Sequence, residues 1–248
     1  KTGKIVAVFA ICILLTSCMG ESGNVVTFGV QPGVVQLQPE KVICIKGGDL
    51  ITYQGLDKQE DIKEGDCCLV DFKLNFSSKE NENADVYTVE MLKYVPVEKL
   101  PLYPTLTDTS KVLTHEQVVT PNIKVGAYIG GEFFLYVQYH GYQENQEDSL
   151  SLSYNPEQKV VVDGEGLRIY DLYLRAFKIR SGEGGTSNIT EPYAFTIKQF
   201  VNDAVEKEKE EGQSSVNFRL NYVQGFNNDT TRANWTTSDV YTLYFSGR

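Results

Sequence analysis

The chain is poor in the residues that build metal and redox sites: its 248 residues include two His, five Cys, two Met and one Trp. The histidines, His115 and His140, stand twenty-five residues apart, and the sequence contains neither a His-x-x-x-His nor a Cys-x-x-Cys pair. Zinc sites use such short spacings to bring their ligands together. We therefore expect no metal and no cofactor.

Signatures of nucleophilic catalysis are also missing. The sequence has no Gly-x-Ser-x-Gly elbow, the turn that exposes a catalytic serine. The glycine-rich segment Gly182–Gly185 is not followed directly by a helical pattern, as a phosphate-binding loop is. We expect a protein that is not an enzyme; a hydrolase is an alternative with no residues to support it.

Basic residues are few compared with acidic ones. The chain has 23 Lys and Arg against 33 Asp and Glu, a net charge of −10. Binding to nucleic acid depends on neutralising phosphates with basic side chains. Nucleic acid is therefore not an expected partner.

Long apolar runs are absent, and the run Ile5–Leu15 has only eleven residues, whereas a membrane-spanning helix needs about 20. It follows Lys1 and Lys4, and a short basic segment before a short apolar one is typical of a secretory signal peptide. The run ends in Leu15-Thr16-Ser17-Cys18. This resembles the bacterial lipobox, whose cysteine receives fatty acyl chains such as palmitate and becomes the N-terminus.

The lipobox predicts a signal peptide over residues 1–17, lipidation of Cys18 and a tether over 18–24. The alternative is an ordinary signal peptide that contains a cysteine. Cleavage would leave 21 basic residues against 33 acidic ones, a net charge of −12. Met19 rather than Asp follows the cysteine, so nothing resembles an inner-membrane retention signal. We expect a lipid-anchored protein of the cell envelope, in the outer membrane, and leave the membrane face open.

What the chain does have is strand-forming sequence, with fifteen Tyr and twelve Phe. Residues Gly47-Gly48-Asp49 between two β-rich runs predict a tight hairpin. Apolar and polar residues alternate from Cys67 to Phe76, as in a strand with one buried face. Several short strands over residues 25–99 suit a small OB-like barrel.

The segment Leu100–Thr105, with two prolines, predicts an extended linker between domains. A fragment that starts at Leu102 should then fold by itself. Strand patterns resume beyond it and predict a β-sandwich of immunoglobulin-like type over residues 100–248. Residues 196–211 instead repeat apolar side chains at helical spacing, with Thr196 and Gln199 as a capping box. The sequence predicts an all-β protein with one short inserted helix.

This order of lipobox, barrel and sandwich resembles the NigD-like lipoproteins of Gram-negative anaerobes, which have an OB-type domain followed by a β-sandwich domain. The most specific stretch is Gly65–Phe72, similar to that family's entry into a barrel strand; Asp171–Phe177 is similar to an Arg-containing strand of its second domain. Cys67 and Cys68 depart from the pattern. The resemblance implies a bacteriocin-immunity role and assigns no functional residue.

The mature chain keeps Cys44, Cys67 and Cys68 in an oxidising compartment. Adjacent residues of a strand point to opposite faces, so at most one of Cys67 and Cys68 can bridge to Cys44. A disulfide and buried thiols are both open.

Two further features concern modification and ligands. Asp148-Ser149 and Asp229-Thr230 resemble a short motif for periplasmic O-glycosylation, which makes Ser149 and Thr230 candidates. Flat rings stack on sugars, so exposed aromatics are candidates for a glycan platform. The strongest are Tyr142 and Trp235, and packing of the sandwich core is the alternative. The remaining aromatic candidates are Tyr139, Tyr241 and Tyr244.

Two functions therefore compete. One is a non-catalytic, immunity-like lipoprotein that docks a protein; the other is a surface lipoprotein that binds glycans or serves as an adhesin or fimbrial subunit.

Overall fold

The structure is a computed structural model that describes residues 24–38, 40–105 and 108–245. Its internal contacts divide the chain into two compact units, with the division between Pro96 and Val97. Lys1, Cys12 and Cys18 lie outside the described residues, and with them the signal peptide and lipobox. That each unit folds as an independent domain stays a prediction.

The first unit is built from short strands around a small core. The strands are β1 (Val25–Gln36), β2 (Val42–Ile45), β3 (Leu50–Thr52), β4 (Cys67–Asn75), β5 (Val86–Thr88) and the first half of β6 (Glu90–Tyr103), whose residues from Val97 on belong to the second unit. β1 is antiparallel to both β2 and β4, and β3 pairs with β2 on one side and β5 on the other. The β2–β3 hairpin is confirmed, and Gly47 and Gly48 take the positive φ angles that its turn requires.

The core of this unit comes from the face that alternation predicted. Cys68, Val70, Phe72 and Leu74 of β4 are all buried in one apolar cluster. Phe72 stacks on Phe28 of β1 with ring centres 4.8 Å apart. Burial of this face against the opposite strands supplies most of what holds such a small unit together.

The expected linker is a paired strand, so that prediction is wrong. β6 continues to Tyr103, and its segment from Glu98 to Pro101 runs parallel to Tyr193–Thr196. Proline is tolerated here because Pro101 stands at the end of the pairing, where a missing N–H costs little. Leu102 and Tyr103 then pair with another strand of the second unit.

The second unit contains the remaining strands and the α-helix. They are β7 (Glu116–Gln117), β8 (Val119–Ile129), β9 (Glu132–Glu144), β10 (Glu147–Ser153), β11 (Val161–Val162), β12 (Arg168–Arg180), β13 (Glu183–Thr196), α1 (Lys198–Glu210), β14 (Ser215–Phe226), β15 (Ala233–Thr237) and β16 (Tyr241–Tyr244). The all-β class with one short helix is confirmed.

Two layers of strands enclose one core in this unit. β9 pairs with β8 and β13, whereas β12 pairs with β10 and β14. Phe133 and Leu135 of β9 share a buried cluster with Leu172 and Leu174 of β12 and Phe218 of β14. This is the sandwich that the alternation predicted. The arrangement is not all antiparallel, because β12 and β14 run parallel, as do the pairs that the end of β6 makes with β13 and β10.

The helix belongs to the crossover that a parallel pair needs. α1 precedes β14 and buries Phe200, Val201 and Ala204 in the core of the unit. The capping box is wrong: the N-cap residue is Ile197, with no side-chain cap. Thr196 instead donates its hydroxyl to Glu132 at 2.7 Å. No helix among the described residues is long and apolar enough to cross a membrane.

Candidate functional site

The candidate glycosylation residues are both on the surface. Ser149 is exposed within β10, opposite Phe177 of β12. Thr230 is exposed at the turn between β14 and β15, with a φ of 55°. Hydrogen bonds from the Thr231 hydroxyl and amide to Asp229 hold the pKa of that carboxyl below its usual value. Modification of Ser149 and Thr230 stays a prediction.

Trp235 is part of a packed assembly. Its indole N–H donates to the Thr109 carbonyl at 2.9 Å, and the Arg175 guanidinium lies over its ring, 4.8 Å from the centre. Tyr173 meets the ring edge-on. Since one ring face is covered and the only indole donor is used, the geometry favours a structural role.

Tyr142 is half-buried and also occupied on one side. The Lys178 ammonium lies 5.6 Å from its ring centre. Of the other aromatic candidates, Tyr139 is buried, and Tyr241 packs between Phe133 and Phe218. Tyr244 is 74% exposed.

Charged side chains buried in the second unit hold its elements together. Arg175 is 3% exposed, and its Nη1 lies 2.7 Å from the fully buried carboxylate of Glu116. Glu208 of α1 is 1% exposed and accepts hydrogen bonds from Arg168 at 2.7 Å and from Tyr170 at 2.8 Å. Burial and the bond to Glu208 raise the pKa of Tyr170. These carboxylates are engaged in fixing the sheet and the helix.

The thiols are kept apart by strand register. Val34 of β1 lies opposite Cys44 on one side and Cys67 on the other, while Cys68 lies opposite Gly33. Strands that flank a third strand are about 9.5 Å apart, and a disulfide needs Cα atoms within about 7 Å. Cys44, Cys67 and Cys68 are accordingly thiols, which answers the question that the sequence left open. Burial raises the pKa of Cys68 to about 12.

The histidines do not meet. His140 faces solvent on β9 near the Asn188 side chain, and His115 lies in the loop before β7. Within residues 24–38, 40–105 and 108–245, no three His, Cys, Asp or Glu side chains are grouped so that they could hold a metal ion.

The second unit carries an open groove of about 440 Å³ beside β8, within the range of about 300–1,000 Å³ for small-molecule sites. We call it the tyrosine groove. Its lining includes Thr120, Asn122, Lys124, Tyr136, Gln138, Thr190, Tyr222, Thr237, Ser238 and Asp239.

Strand register explains how one wall of the tyrosine groove forms. Thr120, Gln138 and Thr190 lie side by side across β8, β9 and β13, so their side chains share a face. Asn122 and Tyr136 form the neighbouring row on the same face. This is the solvent-facing side of β9, because the residues that alternate with them are in the core. The wall is therefore a polar surface that presents one aromatic ring.

The opposite wall comes from β14 and the segment after β15. Tyr222 packs partly against the core and has its remaining surface in the groove. Ser238 is fixed there, since its hydroxyl accepts the Leu220 N–H at 3.0 Å and donates to the Asp239 carbonyl at 2.7 Å. The Lys124 ammonium lies 3.1 Å from the Asp239 carboxylate, so the two charges of the groove neutralise each other.

The sequence did not single out Tyr136 or Tyr222. In the sequence, Tyr136 alternates with Leu135 and Val137, which are both in the core, so a signal for its outward position is present. The sequence contains no comparable signal for Tyr222, because the exposure of its side chain depends on the fold of the segment after β15.

A second open groove, of about 860 Å³, lies in the first unit. Asn81 stands in its wall, but its amide is consumed in bonds to Asn75 and Thr88.

The structure thus combines a first unit of strands around a small core with a second unit of sandwich type, and comparison with known proteins identifies the first. Residues 23–92 match the family model described as "Lipoprotein OB domain". This segment is similar to that family, which confirms the OB-type domain and the lipoprotein resemblance. No curated protein matches the chain.

Solved structures share the fold over most of the chain. A crystal structure of an uncharacterised protein from Parabacteroides merdae is 22% identical, with a TM-score of 0.76, over 87% of this chain and 98% of that one. A provisionally described lipoprotein from Bacteroides fragilis is 11% identical, with a TM-score of 0.54, over 89% and 98%. A NigD-like immunity protein from Bacteroides caccae is a more distant neighbour, at 10% identity and a TM-score of 0.45 over 84% and 90%.

Proposed function

We propose that this protein is a lipid-anchored lipoprotein of the cell envelope with a non-catalytic binding role. The observation that carries the proposal is the lipoprotein OB match, which begins at residue 23, five residues after Cys18. A lipobox cysteine directly before a domain of lipoprotein type supports acylation at Cys18. Acyl chains then provide the attachment, at about 0.8 kcal/mol for each buried CH₂.

The outer membrane is the proposed location. Met19 follows the cysteine in place of an aspartate that would retain the protein in the inner membrane. The mature net charge of −12 repels anionic lipid heads, so the acyl chains rather than the protein surface would hold the chain at the bilayer.

A binding role rather than catalysis is supported by how the buried charges are used. Glu116 and Glu208 are tied to Arg175 and Arg168 between elements of the sandwich. The tyrosine groove, in contrast, presents hydroxyl, amide and phenol groups on a rigid sheet, which suits recognition.

The ligand is proposed to be a glycan, and the tyrosine groove is the observation that favours it. An immunity-like role, in which the chain docks a toxin protein, is the second candidate and is supported by the sequence resemblance alone. A fimbrial role would require an exchangeable N-terminal strand.

Metabolic labelling with a fatty acid analogue tests the anchor. The native chain should be labelled, and its N-terminal peptide should have the mass of an acylated cysteine at Cys18. Cys18→Ser should abolish the label because a hydroxyl cannot form the thioether, whereas Cys44→Ser should retain it. Membrane fractionation then tests the outer-membrane location. An unlabelled native chain with a different N-terminus would refute the anchor.

A further inference from the structure

We propose that the tyrosine groove of the second unit is a binding site for a neutral oligosaccharide. The inference deepens the proposed function and rests on its non-catalytic binding role. It narrows the proposed glycan to a neutral chain of sugars, bound at a surface distinct from the aromatics that the sequence suggested.

The first argument is the chemistry of the wall. A sugar ring offers an apolar face of C–H groups and an edge of hydroxyls. Tyr136 is half-buried and lies outside both apolar cores, so its ring serves the solvent side of the sheet. Beside it, Asn122, Thr120 and Gln138 supply donors and acceptors in register. One ring flanked by rows of amides and hydroxyls matches both parts of a sugar.

The second argument is that groove side chains have bonding capacity to offer. Throughout the described part of the chain, the Asn122 amide and the Thr237 hydroxyl make no side-chain hydrogen bond, and both residues are exposed. By contrast, the Asn81 amide in the groove of the first unit is already consumed. Polar groups that are placed on a rigid sheet and unengaged can bind a ligand without first breaking internal bonds.

The third argument is charge. Lys124 and Asp239 form an ion pair at 3.1 Å and are the charged residues of the groove lining. The lining therefore offers no unpaired charge to a charged ligand, and an acidic ligand would also be repelled by the net charge of −10. A neutral ligand needs no charged partner. The open shape and the position along strand β8 suit a chain of sugars rather than a single enclosed one.

Isothermal titration of the acylated full chain, in a detergent without a sugar headgroup, tests the proposal. The probes are maltohexaose, cellohexaose, xylohexaose, mannohexaose and triacetylchitotriose, each at up to millimolar concentration. At least one should bind. Tyr136→Ala and Asn122→Ala should each weaken its Kd ~10-fold or more. Tyr136→Phe should retain most of the affinity because it keeps the ring.

The matched control is Tyr244→Ala, which removes a highly exposed tyrosine of β16 from the same unit and should change the Kd less than about twofold. Asn122 is exposed, so its variant remains folded and informative even if Tyr136→Ala loses structure. Absence of binding by every probe overturns the proposal, as does binding that Asn122→Ala and Tyr136→Ala leave unchanged. Acylation of Cys18 is measured by a separate experiment, so the proposed lipid anchor and the proposed sugar site can be refuted independently.

Discussion

The guanidinium of Arg175 is held between the Trp235 ring, whose centre lies 4.8 Å from it, and a buried carboxylate. That carboxylate, on Glu116, is 2.7 Å from Nη1. Nη2 donates to the Asp108 carbonyl at 3.0 Å, and the Trp235 indole donates to the neighbouring Thr109 carbonyl. The loop before β7 is therefore fastened to β12 and β15 through one cation.

Removal of the Glu116 charge should destabilise the second unit strongly. Glu116→Gln leaves the Arg175 cation buried without its counter-ion, and loss of one partner of such a pair costs about 3–5 kcal/mol. Urea unfolding followed by Trp235 fluorescence measures the change. The control is Glu147→Gln, whose partner Arg180 is 58% exposed; an exposed pair contributes about 1 kcal/mol or less. If Glu116→Gln and Glu147→Gln lowered the free energy of unfolding equally, the buried pair would not contribute more to stability than the exposed pair.

Trp235→Ala should reduce stability without affecting sugar binding. The variant loses the ring over Arg175 and the bond to Thr109, and truncation of a half-buried tryptophan costs about 2–4 kcal/mol. Because Trp235 is not among the groove residues, the Kd for the bound oligosaccharide should stay within about twofold of the native value. If Trp235→Ala lost sugar binding and Asn122→Ala did not, the result would support the glycan platform at Trp235 that the sequence suggested.

The second unit should begin at Val97 rather than at Leu102. A fragment from Val97 keeps the segment Glu98–Pro101, which pairs with β13, and should melt cooperatively. A fragment from Leu102 lacks that strand and exposes one edge of β13, so its melting temperature should fall. Limited proteolysis of the full chain should spare Leu100–Tyr103, because paired strands do not fit a protease cleft. Rapid cleavage there would support a linker.

Stability should decline as pH rises from 9.0 to about 12, in part through Cys68. Burial raises the pKa of this thiol from 9.0 to about 12. In that window the unfolded chain releases the proton while the folded chain keeps it, so unfolding becomes more favourable with rising pH. Cys68→Ala should flatten the slope of unfolding free energy against pH. An unchanged slope would show that Cys68 is not the titrating group.

Sequence patterns were most informative where they record burial on one face. The alternation around Cys68 and Phe72 correctly located the core side of β4, and the helical spacing of Phe200 and Ala204 located α1. Long-range pairing left no comparable local signal. Leu100–Thr105 contains two prolines and was assigned to a linker, yet Leu100 and Pro101 pair with β13, and Leu102 and Tyr103 pair with β10.

In the candidate site, too, local sequence patterns were informative and long-range contacts were not. Trp235 and Tyr142 were chosen because they are aromatic, but the partners that cover them, Arg175 and Lys178, lie on β12, far away in sequence. Glu208 sits in an acidic run that reads as surface, and only the fold brings Arg168 and Tyr170 to it. The outward position of Tyr136 could be predicted from alternation. Its place in a groove could not, because the opposite wall is formed by β14 and the segment after β15.

The separation of Cys44 from Cys67 and Cys68 by a whole strand bears on how the protein matures. Oxidation cannot join Cys44 to Cys67 or Cys68 in the native state, since the strands β2 and β4 would have to leave β1 first. Folding of the first unit therefore requires no disulfide to Cys44. A bridge between Cys44 and either partner would mark a misfolded chain, so correct pairing of β1 with β2 and β4 protects against that bridge.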